Sequence, residues 1–327
     1  MIWLTWRQFR GQALVAVAVL ATLATYLVVL GLRIRTAYEV NVDCAGCSVE
    51  TAKDVFENAY FTPLLLTGFL VVLVPGIVGA FWGAPLLARE FEAGTHRLVW
   101  NQSISRTRWL AVKLGLVTLA GATLTGALSL LLTWAASPYD KLFDGRFDPL
   151  LFPARNIAPL GYAVFAVVAG VTVGLLVRRT VPAMAILLAG FVLLQILVPT
   201  MVRPHLQPAV TETVAWTAAN ARGLMINGTG EVRTENFAVP GAWVLTSNPQ
   251  MFDAAGNPAT QEQIESCPHS EPSVHKACIE TKGFHMTLSY QPADRYWTFQ
   301  WLEFGFYLVL AGLLAGFAFW RIPRGLN

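Results

Sequence analysis

Charged residues are scarce in this sequence. Asp, Glu, Lys and Arg make up 13% of its 327 residues, whereas about a quarter of the residues of a soluble domain are charged. Hydrophobic residues account for 55% of the chain, and its mean hydropathy is +0.51. This composition excludes an ordinary soluble globular protein and predicts an integral membrane protein.

Catalytic and nucleotide-binding motifs are also missing. The sequence contains no G-x-x-x-x-G-K-[ST] loop, no H-E-x-x-H and no G-x-S-x-G, motifs that bind phosphate, hold zinc or supply a nucleophilic serine. We therefore expect no catalytic residue and no cofactor on this chain. The formal net charge is only +3, and the basic residues cluster beside apolar runs, so we expect no nucleic-acid partner.

Six apolar runs contain no Asp, Glu, Lys, Arg or His. About 20 helical residues cross the ~30 Å hydrocarbon core of a bilayer, and continuous runs indicate helices rather than barrel strands. The predicted fold class is therefore an all-α polytopic membrane protein with six transmembrane helices. The lack of charge within the runs argues against an ion-coupled transporter, which places such groups in the membrane. The runs are 12–32, 62–87, 114–136, 157–177, 181–202 and 304–320.

The distribution of Lys and Arg predicts the orientation, because short cytoplasmic loops retain basic residues. With the N-terminus inside, the inner segments hold eleven basic and two acidic residues, whereas the outer segments hold twelve basic and eighteen acidic ones. We therefore expect both termini in the cytoplasm. Ile2, Trp6 and Phe9 share one helical face, which predicts an interfacial helix before the first span. The inner segments are 1–11, 88–113, 178–180 and 321–327.

The longest polar segment divides the chain into three regions. Residues 1–202 form the predicted membrane domain, residues 203–303 a mixed extracellular domain between spans five and six, and residues 304–327 the last span and cytoplasmic C-terminus. Turn-forming residues alternate with β-prone runs at 242–247 and 284–290, which predicts strands in the extracellular domain. Four aromatic residues predict a belt at the outer membrane interface; they are Tyr296, Trp297, Trp301 and Tyr307.

All four cysteines lie in the predicted outer segments. Outside the cytoplasm, paired cysteines usually form disulfides, and we expect one between the last two, although sequence alone leaves three connectivities open. The alternative is a zinc site built from Cys267, His269, His275 and Cys278, but their spacing matches no standard zinc module. We therefore expect disulfides and no metal. The disulfide candidates are Cys44, Cys47, Cys267 and Cys278.

Small residues interrupt the second apolar run. Gly76, Gly79 and Gly83 lie between Pro75 and Pro85. Such residues permit a kink and let a second helix approach closely. We expect this stretch either to pack tightly against another helix or to line a pathway.

One polar, arginine-rich insert separates the second apolar run from the third. Residues 88–109 read AREFEAGTHRLVWNQSISRTRW, with R-E-x-E-x-G-T followed by S-x-S-R and then a lysine. Gly94 is expected to end one helix and Ser105 to cap the next. Glu90 and Glu92 are the only acidic residues on the predicted cytoplasmic side. They are therefore expected to pair either with a partner protein or with neighbouring arginines.

Six spans, cytoplasmic termini and this insert together resemble the permease subunits of type-2 ABC transporters, in particular those of actinobacteria. The resemblance in layout covers the whole chain. It implies that the cytoplasmic segment 88–113 is a coupling segment, whose coupling helix docks into a separate ABC ATPase. The ATPase is expected in two copies that use ATP and magnesium. It also implies a second permease chain, identical or related, in the bacterial plasma membrane. The residues implied in coupling are Glu90, Glu92, Gly94, Thr95, Arg97 and Trp100.

This resemblance implies a permease powered by its partner, and we expect it to export a lipophilic or amphiphilic compound. Transport would occur by alternating access at the interface between two permease chains, with membrane lipid around them. One alternative is a membrane-anchored receptor whose extracellular domain binds a ligand and which needs no ATPase. Another is a membrane enzyme with a metal at the outer cysteines and histidines.

Overall fold

Helices make up most of the chain, and the computed structural model divides it into two compact units. The membrane unit consists of Met1–Leu142, Asp148–Arg203 and Trp297–Asn327. The small unit consists of Phe143–Phe147 and Pro204–Tyr296. The structure describes residues 2–43, 48–94, 105–143, 145–217, 223–235, 237, 239–246, 248–268 and 271–324.

Within the described part of the chain, six helical segments are long and apolar enough to cross a bilayer. This number confirms the six spans predicted from the apolar runs. The segments are Val17–Asn41, Thr51–Glu92, Arg106–Phe143, Ala158–Val177, Thr180–His205 and Ala293–Ile322.

Most of the helices extend beyond the apolar runs, because a run marks only the residues that suit hydrocarbon and polar residues continue the helix. The first helix is continuous from Ile2 to Asn41, so the residues predicted to form an interfacial helix are helical and continue directly into the first span. The helices of the membrane unit are α1 (Ile2–Asn41), α2 (Val49–Phe56), α3 (Thr62–Val78), α4 (Ala84–Glu92), α5 (Arg106–Phe143), α6 (Ala158–Val177), α7 (Thr180–Leu197) and, after the small unit, α10 (Tyr296–Arg324).

Two π-helical turns join the three helices of the second span. Glu57–Phe61 connects α2 to α3, and Gly79–Gly83 connects α3 to α4. Each π turn is followed two residues later by a proline, Pro63 or Pro85. Proline lacks the N–H that continues the regular hydrogen-bond ladder, and π turns occur at such interruptions.

Helix α6 lies at the centre of the membrane unit. Its most apolar stretch is 72% buried within the protein, compared with 22% for the first, fifth and last spans. Helix α6 packs against α3, α4 and α7. A helix buried in this way leaves little surface for lipid, so α6 forms the centre of the helix packing in the membrane unit.

Helix α5 is held by a buried ion pair near each end. Lys113 pairs with Glu90 at one end, and Asp140 pairs with Arg155 at the other. At 1.5 Å per residue, the two positions on α5 lie about 40 Å apart. This distance matches the ~40–45 Å thickness of a bilayer with its headgroups, so the ion pairs are spaced to lie at opposite membrane interfaces.

The described part of the small unit contains six strands and two short α-helices. Its central strand is β6, which pairs antiparallel with β1, β4 and β5, while β2 and β3 form a separate hairpin. Strands β4 and β6 lie in the two runs that the sequence predicts as β-prone. The elements are β1 (Val210–Ala215), β2 (Gly223–Ile226), β3 (Val232–Glu235), β4 (Trp243–Val244), β5 (Met251–Phe252), α8 (Gln261–Glu265), α9 (Pro272–Thr281) and β6 (His285–Gln291).

A disulfide joins Cys267 to Cys278, as predicted. It connects the end of α8 to α9, and Cys267 is 1% exposed in the core of the small unit. The zinc hypothesis is wrong, because both thiols are consumed by the disulfide. Three other residues named in the disulfide and zinc hypotheses lie outside the described part of the chain: Cys44, Cys47 and His269.

Removing this disulfide is expected to destabilise the small unit. Replacing Cys267 and Cys278 with alanine should lower its free energy of unfolding by about 2–4 kcal/mol, because the cross-link restricts the unfolded chain. Denaturant titration of the two proteins measures this stability difference. Thiol labelling under denaturing, non-reducing conditions tests the disulfide itself, in a chain that keeps Cys267 and Cys278 but has Cys44 and Cys47 replaced. No labelling is expected before reduction, and stoichiometric labelling of both thiols would contradict the disulfide.

Candidate functional site

The π turn before α4 packs very closely against α6. A β-carbon added at Gly79 would lie 2.5 Å from the carbonyl oxygen of Ala166, and one added at Gly83 would lie 2.7 Å from that of Val167. From the other side, a β-carbon at Gly170 would lie 2.5 Å from the carbonyl oxygen of Gly79. Only glycine fits at these positions, so the close helix approach predicted for this stretch is confirmed.

This contact predicts that Gly170→Ala destabilises the membrane unit by about 1–3 kcal/mol, because the added methyl group would overlap the backbone of the π turn and of Ala84. Gly190→Ala in α7 is the matched control, since nothing lies within 4 Å of its added β-carbon. That control is expected to be neutral or to stabilise, because alanine favours a helix over glycine. Detergent-induced unfolding of the two variants measures the difference, and equal stabilities would contradict the close contact.

The two acidic residues at the end of α4 bind different helices. Glu90 pairs with Lys113 of α5, and their side chains are 14% and 7% exposed. The Lys113 ammonium also lies 4.6 Å from the centre of the Trp109 ring. Glu92 Oε2 accepts hydrogen bonds from the backbone N–H and the hydroxyl of Thr180, at 3.1 and 2.7 Å. The end of α4 is therefore bound to α5 and to the first turn of α7.

These partners were not visible from the insert alone. The sequence points to a partner protein or to neighbouring arginines as the partners of these acids. In the structure, Lys113 lies 23 residues after Glu90, and Thr180 lies 88 residues after Glu92. The acids of the insert therefore act at least in part inside the permease. Two further candidates, Gly94 and Ser105, lie where the described parts of the insert end.

Gly94 ends α4 with a φ of +68°, a left-handed conformation that favours glycine. Its N–H donates to the carbonyl oxygen of Phe91 at 3.2 Å. Ser105 Oγ accepts a hydrogen bond from the N–H of Arg108 at 3.3 Å, which caps the start of α5. Both predictions are confirmed. The remaining predicted coupling residues lie outside the described part of the chain: Thr95, Arg97 and Trp100.

A second group of polar side chains is buried between α6, the end of the fifth span and α10. Arg203 donates to Glu303 twice, from Nε to Oε2 at 2.7 Å and from Nη2 to Oε1 at 2.9 Å. The hydroxyl of Tyr162 also donates to Glu303. Glu303 is fully buried and Arg203 is 2% exposed. This paired arrangement compensates each charge for its loss of water.

This ion pair corrects the prediction that the spans carry no charge. The fifth and sixth spans of the structure are Thr180–His205 and Ala293–Ile322, so they contain Arg203 and Glu303. The apolar runs stop one residue short of each, because a run defined by the absence of charge must end where a charge begins. Lack of intramembrane charge therefore no longer argues against an ion-coupled mechanism.

Of the four residues predicted to form an aromatic belt, two are exposed and two are buried. Trp297 and Trp301 are 51% and 59% exposed, as a belt requires. Tyr307 is fully buried, with its ring centre 4.6 Å from that of Tyr162, and Tyr296 is also buried. The two tyrosines therefore belong to protein packing.

One family comparison identifies the membrane unit. A model of the family described as ABC-2 membrane transporter related matches residues 17–203, which include the first five spans and the insert. Comparisons with curated proteins and with solved structures gave no match. Membrane chains of this family generally work with an ABC ATPase partner and are usually located in the bacterial cell membrane. The chain therefore belongs to the ABC-2 membrane transporter related family and is a multi-pass permease subunit of a type-2 ABC transporter.

Proposed function

We propose that this permease exports a lipophilic or amphiphilic compound by ATP-driven alternating access. Two permease chains, identical or related, face each other, and two ABC ATPase subunits bind ATP and magnesium beneath them. The segment after α4 contacts the ATPase. This segment and both termini lie in the cytoplasm, while the small unit lies outside the cell. This orientation follows the excess of Lys and Arg in the inner segments.

The observation that carries the proposal is the way in which α4 is held. The preceding π turn contacts α6 through Gly79 and Gly83, and the end of α4 binds α5 through Glu90 and α7 through Glu92. Interdigitated helices transmit displacement because close-packed interiors are nearly incompressible. A force applied to the segment after α4 would therefore move three spans together, which alternating access requires.

The side chains available in the membrane support the proposed substrate class. The buried charges described in the membrane unit are paired, as Glu90 with Lys113, Asp140 with Arg155, and Arg203 with Glu303. A strongly charged substrate needs a counter-charge in a medium of low dielectric. A lipophilic or amphiphilic compound needs none, so these spans suit such a substrate.

The experiment is to purify the permease with its ABC ATPase and reconstitute both in vesicles. ATP-dependent movement of a fluorescent amphiphile and amphiphile-stimulated ATP hydrolysis are the measurements. A complex with a catalytically inactive ATPase is the control and is expected to transport nothing. Ligand-dependent signalling by the permease alone, with no effect of the ATPase, would instead support a receptor.

Glu92→Lys is expected to leave the permease folded and inserted but to abolish ATP-driven transport and weaken ATPase binding. Lysine cannot accept the two hydrogen bonds from Thr180, and it adds a positive charge beside Arg179. Glu92→Gln keeps an acceptor oxygen and is expected to retain most activity. Full amphiphile-stimulated ATP hydrolysis by Glu92→Lys in the reconstituted complex would show that Glu92 has no role in coupling.

A further inference from the structure

A groove lies between α4 with its preceding π turn and the first turns of α7. It is an open groove with a volume of about 530 Å³, within the ~300–1,000 Å³ range of ligand sites. The α4 side contributes residues spaced by four along one helical face, and α7 contributes two residues with the same spacing. The lining residues are Phe81, Pro85, Arg89, Glu92, Ala93, Thr180 and Met184.

The groove is apolar at one end and polar at the other. Phe81, which is 49% exposed, precedes Arg89 by eight residues, or about 12 Å along a helix. Glu92 and Thr180 lie at the polar end, outside the apolar runs 62–87 and 181–202. The polar end therefore lies at the membrane surface, with the apolar end toward the hydrocarbon.

The polar end is positively charged. Glu92 is the acid of the groove, and its Oε2 is already bound to Thr180. Arg89 is exposed and forms no ion pair within the described part of the chain. Arg179, adjacent to Thr180, is also exposed. Two arginines beside one engaged carboxylate make this end complementary to an anion.

We propose that the groove binds an anionic membrane phospholipid. Its phosphate contacts Arg89, whose planar guanidinium matches phosphate oxygens, and one acyl chain lies along Phe81, Pro85 and Met184. Because the walls belong to the second and fifth spans, the bound lipid bridges them beside the start of the insert. This site concerns lipid binding by the permease and does not depend on the transported compound.

Native mass spectrometry of the full-length permease in a neutral detergent tests the site. Phosphatidylglycerol is added at increasing concentration, with phosphatidylcholine in a parallel series. The wild type is expected to retain phosphatidylglycerol preferentially. Arg89→Gln is expected to weaken retention about tenfold, since a hydrogen bond to a charged group contributes that much. Met184→Trp fills the apolar end without changing charge and is also expected to reduce retention.

Arg321→Gln is the matched control, because Arg321 is an exposed arginine near the end of α10. It is expected to leave retention unchanged. Equal losses for Arg89→Gln and Arg321→Gln would overturn the proposal in favour of nonspecific lipid around the protein. Retention of phosphatidylcholine as strong as that of phosphatidylglycerol would also overturn it. Glycerol phosphate, which has no acyl chain, is expected to displace little bound phosphatidylglycerol. If it displaces phosphatidylglycerol as well as added lipid does, the proposed contact between the acyl chain and the groove is wrong.

Discussion

Replacing Glu303 with leucine is expected to lower the free energy of unfolding of the membrane unit by about 3–5 kcal/mol. Glu303 accepts hydrogen bonds from Arg203 and Tyr162. Its loss leaves a guanidinium that is 2% exposed with no counter-charge and little water to solvate it. Titration of the purified chain with a denaturing detergent, followed by tryptophan fluorescence, measures the change.

A double variant separates the lost charge pairing from the change in shape. When Arg203→Met is combined with Glu303→Leu, most of the stability is expected to return, because apolar residues of similar volume replace buried pairs at little cost. Asp294→Leu removes an exposed carboxylate shortly before Glu303 and is expected to change stability by no more than about 0.5 kcal/mol. If Glu303→Leu costs no more than this control, the buried pair does not stabilise the unit.

Features that depend on local composition could be predicted from the sequence. The six spans follow from apolar length, because hydrocarbon accepts few other sequences. The end of α4 at Gly94 and the cap at Ser105 follow from backbone preferences of single residues. The close helix contact was predicted for the same reason, since Gly79 and Gly83 lie four residues apart on one face. In each case the physical cause lies within a few residues of the effect.

Features that depend on distant parts of the chain could not be predicted in this way. Glu92 binds Thr180, and Glu303 binds Arg203 about one hundred residues away; neither partner is marked by local pattern. An apolar run is defined as ending at the first charged residue. Arg203 and Glu303 therefore fall outside the predicted spans by definition, although the structure places them within the helices of these spans. Tyrosine is a residue type that is enriched at membrane interfaces, so the sequence favours an interfacial position for Tyr307. Its packing against Tyr162 in the structure shows instead that it is buried.

Reversing the charge of Glu90 is the other change with a large expected effect. In Glu90→Lys, two ammonium groups would face each other in the place of an ion pair whose side chains are 14% and 7% exposed. We expect a loss of about 3–5 kcal/mol in the free energy of unfolding, as for other broken buried pairs. We also expect fewer transported molecules per ATP hydrolysed, because α4 would no longer move with α5. Simultaneous assays of transport and ATP hydrolysis give this ratio.

The exchanged variant, Glu90→Lys with Lys113→Glu, distinguishes the pair from its separate charges. It is expected to recover much of the stability and of the transport ratio, because opposite charges again face each other across α4 and α5. Recovery should be incomplete, since Trp109 favours the Lys113 ammonium over its ring face and disfavours a carboxylate there. Arg108→Glu reverses an exposed charge on the same helix and serves as control, with little expected effect on stability. If the exchanged variant behaves no better than Glu90→Lys alone, the contact between Glu90 and Lys113 is not what joins the insert to α5.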